Sequence, residues 1–139
     1  MDREAIESII PHRGNMLLVD EAELMEDGTA VGKYTVRGDE FFLQGHFPGN
    51  PVVPGVMLCE MMAQSACLLI EDGDHSLTPY FTGMKNVKFK NKVLPGDTVV
   101  FRSEKTAHRH PFYFMKSTGY VGEKMCVCGE LSFAIEQKG

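Results

Sequence analysis

The chain has 139 residues, 43% hydrophobic and 24% charged, which is enough to build one folded domain spanning residues 1–139. Its formal net charge of −5 argues against a nucleic-acid partner, because phosphate binding needs a basic surface. No apolar run reaches the roughly 20 residues that cross a bilayer, and the N-terminus lacks a signal-peptide pattern, so the chain is expected to be cytoplasmic without a membrane partner.

The first third of the chain predicts a short helix followed by two strands. Three isoleucines recur at helical spacing within residues 6–10, behind a candidate cap at Asp2 and before a helix-stopping Pro11. Residues 16–36 are interpreted as two strands around a turn at residues 26–29, where Asp-Gly supplies the turn signal.

The middle of the chain combines a stiff loop with an apolar helix. Residues 45–55 hold three prolines and three glycines, which favours a specifically shaped loop over a flexible spacer. Residues 56–70 contain neither glycine nor proline and are apolar on nearly every side. They therefore predict a buried helix.

The remainder predicts strands. After residue 84 the sequence alternates, with lysines on one face and apolar side chains on the core face: Val87, Phe89 and Val93. Three more strands are expected at residues 98–106, 112–121 and 124–135. Short turns between strands favour an antiparallel sheet, and a curved sheet would cover the buried helix, so the predicted fold class is α+β.

Glu60 is the first candidate catalytic residue. The only other polar residues in its predicted helix are Gln64 and Ser65, and glutamate is almost never buried without a partner. Gln64 lies four residues further on, on the same helical face. A carboxyl group in apolar surroundings suits a general acid, although a structural carboxylate facing a solvent channel or a partner subunit explains Glu60 alone equally well.

His46 is the second candidate, at the start of the stiff loop. Histidine is the usual general base near neutral pH, but a single histidine is more often structural. His12 carries no assignment, and both His75 and residues 108–110 resemble solvated turns. The first amides of the helix, from Gly55 onward, are unpaired donors beside the same loop. Base, acid and oxyanion donors together suit removal of a proton next to a carbonyl and loss of a group one carbon further on.

A run of lysines forms the third feature. No acidic residue interrupts it between residues 84 and 96, and its members are Lys85, Lys88, Lys90 and Lys92. On an acidic protein such a patch could steer an acidic partner, whereas the commoner explanation is the solvated face of an edge strand.

Three stretches resemble the beta-hydroxyacyl–acyl carrier protein dehydratases of type II fatty-acid synthesis. They are PHRGNMLLVD (11–20), FFLQGHFPGNPVVPGVMLCEMMAQ (41–64) and KFKNKVLPGD (88–97). The GHFPxxPxxPG…E…AQ signature is highly specific, and the resemblance covers nearly the whole chain. It implies a hotdog fold, in which an antiparallel sheet wraps a long central helix. It also implies homodimers, assembled as trimers of dimers, whose active sites pair the histidine of one subunit with the glutamate of the other.

By position, the resemblance makes His46 the base, Glu60 the acid and Gly55 the amide donor to the thioester carbonyl. Gln64 matches the residue that helps to hold the glutamate, and Arg13 matches a family arginine without an assigned role. The residues matched to the substrate tunnel are Phe47, Pro48, Val53, Pro54 and Phe89. A basic segment near the tunnel mouth is implied to bind acyl carrier protein, through Lys88, Lys90 and Lys92.

The implied reaction is dehydration of a (3R)-hydroxyacyl-acyl carrier protein to the trans-2-enoyl product in fatty-acid elongation. It needs no metal or redox cofactor, and the acyl group rides on the phosphopantetheine arm of the carrier. Valine at position 53, where methionine is usual, leaves the chain-length preference open. Three alternatives also stay open: a bifunctional dehydratase that isomerises the product to cis-3, a hotdog acyl thioesterase, and a non-catalytic carrier-binding module.

Overall fold

The structure, a computed structural model, describes residues 1–70 and 77–137. Its helices are α1 (Arg3–Glu7) and α2 (Gly55–Cys67). Its strands are β1 (Glu21–Leu24), β2 (Ala30–Thr35), β3 (Leu77–Phe89), β4 (Thr98–Arg109), β5 (Phe112–Val121) and β6 (Lys124–Gln137). They form one antiparallel sheet in the order β1-β2-β4-β5-β6-β3. Within the described ranges, no helix is long and apolar enough to cross a membrane.

The α2 helix packs against the sheet, and its side chains are buried from Leu58 to Cys67 apart from Glu60. Burial on nearly every side is what its apolar sequence demands. Gly32 on β2 allows this close approach, because a Cβ atom there would overlap the side chain of Ser65. The predicted arrangement, a central helix covered by an antiparallel sheet, is therefore confirmed.

The predicted cap and most predicted strands are also confirmed. The Asp2 carboxylate accepts a hydrogen bond from the Ala5 amide at 2.9 Å, which starts α1. The β5 strand has the predicted bounds, and β4 and β6 extend slightly further than predicted. The interpretation of residues 108–110 as a turn was wrong for His108, which lies in β4 and stacks on the Tyr113 ring at 3.9 Å. His75 lies outside the described residues.

The prediction of a strand from residue 16 was wrong, since β1 begins only at Glu21. Leu17, Leu18 and Val19 are buried, as their hydrophobicity suggests, but their backbone forms no strand pairing with the described residues. The side chain of Gln64 supplies hydrogen bonds that a neighbouring strand would otherwise provide. It accepts one from the Leu18 amide at 2.8 Å and donates one to the residue 16 carbonyl at 2.7 Å.

The alternation predicted after residue 84 gives the correct face for Phe89 but not its burial. Phe89 pairs with the fully buried Val127 of β6, yet it is itself 53% exposed. The pairing of β3 with β6 shifts register between Lys85 and Lys88, and Asn86 within that shift has φ = 55°. Phe89 lies beyond this shift at the end of an edge strand, with its ring against Gly55 at the start of α2, and this position leaves the ring exposed. The strand then ends at Phe89, while Val93 beyond it is fully buried, as predicted.

Candidate active site

The carboxylate of Glu60 is held from within its own helix. Gln64, which is fully buried, donates a hydrogen bond from Nε2 to Glu60 Oε2 at 2.8 Å. The same amide is anchored to the backbone at residues 16 and 18, so its orientation is fixed. The Glu60 side chain itself is 28% exposed, hence less buried than its helix pattern suggests. The carboxylate is thus oriented by the protein and still reachable.

His12 also faces Glu60, and the sequence interpretation missed it. Its Nε2 atom lies 3.7 Å from Glu60 Oε2, 48 residues away along the chain. Burial lowers the pKa of His12, the charge of Glu60 opposes that change, and Arg13 adds to it. The signal in the sequence was its place in PHRGNMLLVD (11–20), one of the three stretches that resemble the dehydratases.

Arg13 explains how His12 is placed. Its guanidinium donates hydrogen bonds to the backbone carbonyls of Glu7, Ile10 and His12 at 2.7–2.8 Å. These bonds close the loop after α1 and order the segment that carries the histidine. Arg13 therefore has a structural role that the sequence alone did not assign.

His46 belongs to a separate, tightly bonded loop. Its Nδ1 atom lies 2.9 Å from the Val52 carbonyl oxygen, and the Val52 amide donates back to the His46 carbonyl at 2.9 Å. Since a carbonyl oxygen only accepts, Nδ1 carries the proton and the neutral ring has a free lone pair on Nε2. The ring stacks on Phe47, with centroids 4.2 Å apart.

The start of α2 forms the floor of an open cleft of about 350 Å³. Pro54 provides no side-chain cap, and among the described residues no group accepts a hydrogen bond from the Gly55 amide. Phe89 lies over the helix start, since a Cβ atom added to Gly55 would be 3.0–3.3 Å from its ring. Five predicted site residues line this cleft: Val53, Gly55, Phe89, Lys90 and Lys92.

The other residues predicted to line the substrate tunnel or to bind acyl carrier protein lie outside that cleft. Phe47 and Pro48 are exposed on the His46 loop, and Pro54 is partly buried. Lys88 is exposed on β3, opposite Cys128 of β6. Within residues 1–70 and 77–137, none of the predicted carrier-binding lysines forms an ion pair.

The two principal candidates do not meet within one chain. In the part of the chain that the structure describes, His46 and Glu60 share neither a hydrogen bond nor an ion pair. His46 is bonded to its own loop, whereas Glu60 is held by Gln64. The candidate site therefore consists of two separate halves within one chain, one around His46 and one around Glu60.

Comparison with known proteins identifies the family. A family model described as ApeI-like, ApeI dehydratase, matches residues 22–129. A protein of Clostridium perfringens named 3-hydroxyacyl-[acyl-carrier-protein] dehydratase FabZ is 40% identical, over 97% of this chain and 99% of its own. One with the same name from Caldicellulosiruptor saccharolyticus is 42% identical, with coverage of 97% and 99%.

Solved structures show the same fold. The dehydratase heterocomplex ApeI:P from Xenorhabdus doucetiae has a TM-score of 0.82 at 19% identity, over 96% of this chain and 91% of that one. The protein PH1136 from Pyrococcus horikoshii has a TM-score of 0.70 at 15% identity, with coverage of 93% and 92%. These likenesses confirm the predicted hotdog fold.

Proposed function

The chain belongs to the family of hotdog-fold 3-hydroxyacyl-[acyl-carrier-protein] dehydratases, and on that premise we propose that it eliminates water from (3R)-hydroxyacyl-acyl carrier protein during fatty-acid elongation. It is an enzyme of the hydro-lyase class. The observation that carries the mechanism is the pair of half-sites: a histidine with a free Nε2 lone pair, and a glutamate oriented by a buried amide.

In the proposed first step, His46 Nε2 removes a proton from C2 of the acyl thioester. The bond from Nδ1 to the Val52 carbonyl supports this role, because it fixes both the tautomer and the ring orientation. It also stabilises the imidazolium that forms, since Nδ1–H keeps its acceptor.

The Gly55 amide would stabilise the negative charge that develops on the thioester oxygen. It is free of acceptors among the described residues and stands at the positive end of the α2 dipole. The cleft in front of it has room for an acyl thioester once the Phe89 ring turns aside.

In the second step, Glu60 gives its proton to the C3 hydroxyl group. The C3–O bond breaks and water leaves, while the C2 electron pair forms the trans C2=C3 double bond. The proton on His46 then passes to Glu60, either directly or through solvent, and restores both groups. The proposed elimination uses neither a metal nor a redox cofactor.

The two halves would come together in a dimer. Strand β3 lies at an edge of the sheet with large apolar side chains exposed, among them Tyr80, Phe81 and Met84. Such an edge is a template for pairing with a second chain. We place β3 against its copy, so that His46 of one subunit faces Glu60 of the other, and we expect these dimers to assemble as trimers.

The partner that delivers the substrate would be acyl carrier protein, with the acyl group on its phosphopantetheine arm. Lys90 and Lys92 at the cleft and Lys88 beside it are exposed cations on a chain of net charge −5. They would attract an acidic carrier to the entrance. We place the enzyme in the cytoplasm, where its four free cysteines would stay reduced.

The test is incubation with 3-hydroxyacyl-acyl carrier protein, followed by mass and chromatographic identification of the product. We expect loss of one water and a trans-2 product. H46A and E60Q should each slow the reaction by about 10²–10⁴-fold, the usual contribution of a positioned acid or base. H110A and E104Q, which alter an exposed histidine and an exposed glutamate, serve as controls.

Each alternative gives a different result in the same assay. Release of free thiol would indicate a thioesterase, and a cis-3 product would indicate an additional isomerase activity. Carrier binding without turnover would indicate a binding module. A folded H46A or E60Q variant with nearly wild-type turnover contradicts the proposed mechanism.

A further inference from the structure

Two donors converge on one oxygen of the Glu60 carboxylate. Gln64 Nε2 is 2.8 Å from Oε2, and His12 Nε2 is 3.7 Å from the same atom. The donors come from different parts of the fold, one from α2 and one from the loop after α1. Across residues 1–70 and 77–137, no group donates a hydrogen bond to the other oxygen, Oε1. The two carboxylate oxygens therefore differ in environment: Oε2 faces both donors and Oε1 faces neither.

The surroundings of His12 specify its tautomer. Its Nδ1 atom is buried, and no described residue forms a hydrogen bond with it. Among the described residues no acceptor is available for an N–H group at Nδ1, whereas Nε2 faces a carboxylate oxygen, which accepts hydrogen bonds, so the ring proton belongs on Nε2. Burial and Arg13 also lower the pKa of this imidazole against the opposing charge of Glu60. His12 thus presents a neutral Nε2–H to Glu60.

The loop that carries His12 is rigid enough to hold this geometry. Arg13 ties it to three carbonyls, including that of His12 itself. Gln64 then bonds the residue 16 carbonyl with the same nitrogen that contacts Glu60. Movement of the loop, the amide or the carboxylate would disturb the other two.

We infer that His12 is a positioning residue for the proposed acid: with Gln64 it holds Oε2 of Glu60 and leaves Oε1 to transfer the proton. This inference rests on the proposed function. The 3.7 Å separation exceeds a hydrogen bond, so this role requires the contact to shorten when substrate binds, as catalytic hydrogen bonds often do. His12 acts through Glu60 and does not itself touch the acyl group.

The experiment compares two substitutions of His12 in the full-length assembled enzyme. In H12Q the amide nitrogen takes the place of Nε2 and keeps a neutral donor, whereas H12L fills similar space without one. We expect kcat of H12L to fall about tenfold with KM within twofold of wild type. H12Q should keep at least half of the wild-type kcat. Thermal melting and gel filtration establish that fold and assembly are unchanged, and H12F replaces H12L if leucine disturbs either.

Three outcomes overturn the inference: a wild-type kcat in the variant lacking a donor, equal losses in H12Q and H12L, or a change confined to KM. Combination with E60Q separates this inference from the mechanism on which it rests. If His12 acts through Glu60, then H12L costs nothing further once E60Q is present. A fully active E60Q defeats the proposed acid itself. A nearly inactive E60Q beside a fully active H12L defeats only the role of His12.

Discussion

The two halves of the site are built on different principles. The acid half, named for the role proposed for Glu60, is complete within one chain. There the buried Gln64 satisfies both of its polar ends and fixes Glu60 between α2 and residues 16–18. The base half lies at the surface, on the His46 loop and at the uncapped start of α2, with Phe47 and Phe89 about half exposed. The acid half is therefore preorganised within one chain, whereas the base half exposes aromatic surface to solvent.

This difference indicates what assembly contributes. A buried hydrogen-bond network is stable only when all of its members are satisfied, and the Gln64 network meets that condition within the monomer. Exposed aromatic rings contribute to stability only when another surface buries them and excludes water, here also from the neighbouring free amide. The acid half should therefore tolerate dissociation of the dimer, and the base half should not.

The largest expected effect comes from mixing two inactive variants. H46A and E60Q should each be nearly inactive, but random exchange of their subunits makes half of the dimers mixed. Each mixed dimer would contain one intact site, so activity should recover to about a quarter of wild type, far above either parent. Turnover after refolding the two proteins together measures this recovery. If there is no recovery although mixed dimers form, both halves of a site belong to one chain.

The second effect tests whether the acid half is preorganised. Q64L would leave the Leu18 amide and the residue 16 carbonyl without partners in the interior, which should cost about 2–4 kcal/mol of the free energy of unfolding. It should also lower kcat by about tenfold, since Glu60 loses its orienting donor. Urea unfolding and steady-state kinetics measure the two effects.

The neighbouring Ser65 provides the matched control for Q64L. Its hydroxyl is buried without a hydrogen-bond partner in the described structure. S65A therefore removes no bond and should leave stability unchanged or slightly improved. Equal losses of stability in Q64L and S65A would show that packing of this helical turn matters, and not the amide network.

The third effect compares the packing of the two halves by the same substitution, glycine to alanine, in each. G32A would push a Cβ atom into the fully buried side chain of Ser65 beneath the acid half, and should cost about 1–3 kcal/mol of stability. In G55A the nearest neighbours of the added Cβ atom would be ring atoms of Phe89, a side chain that is half exposed and has solvent to move into, so the stability cost should stay below about 1 kcal/mol. Activity should show the reverse order, with the higher KM in G55A. A large stability loss in G55A would mean that the base half is as tightly packed as the acid half.

The same contrast explains which parts of the fold the sequence predicted. The α2 helix and the β5 strand follow from local patterns, since uninterrupted apolar helix formers and strict alternation leave few other structures. The error at residues 16–19 arose because a strand-like apolar run can satisfy its backbone with a distant side chain, here that of Gln64. The error at Phe89 concerned its burial and not its face. Its ring lies over the start of α2 at the end of an edge strand, and alternation alone does not indicate how much of such a ring is covered.

The site shows the same limit. His46, Glu60 and Gln64 could be selected from residue type and spacing, because each is unusual in its local setting. His12 could not, because its importance lies in a contact across 48 residues and in the burial of its second nitrogen. Long-range contacts of this kind depend on how α2 and the loop after α1 pack together.

The smallest effect concerns pH, and it follows from the burial of His12. Its pKa is lower in the folded chain than in the unfolded chain, mainly because burial disfavours the cation, with Glu60 opposing and Arg13 reinforcing that change. As pH falls below about 6.5, the unfolded chain takes up this proton first, so stability falls with pH in that window. Above that pH the ring is neutral in both states and contributes no slope. H12Q, which cannot take up the proton, should lose less stability between pH 7.5 and 5.5 than wild type does, as urea unfolding at both pH values can measure. If stability changed equally with pH in H12Q and in wild type, folding would not lower the pKa of His12. The acid half would then be as open to water as the base half.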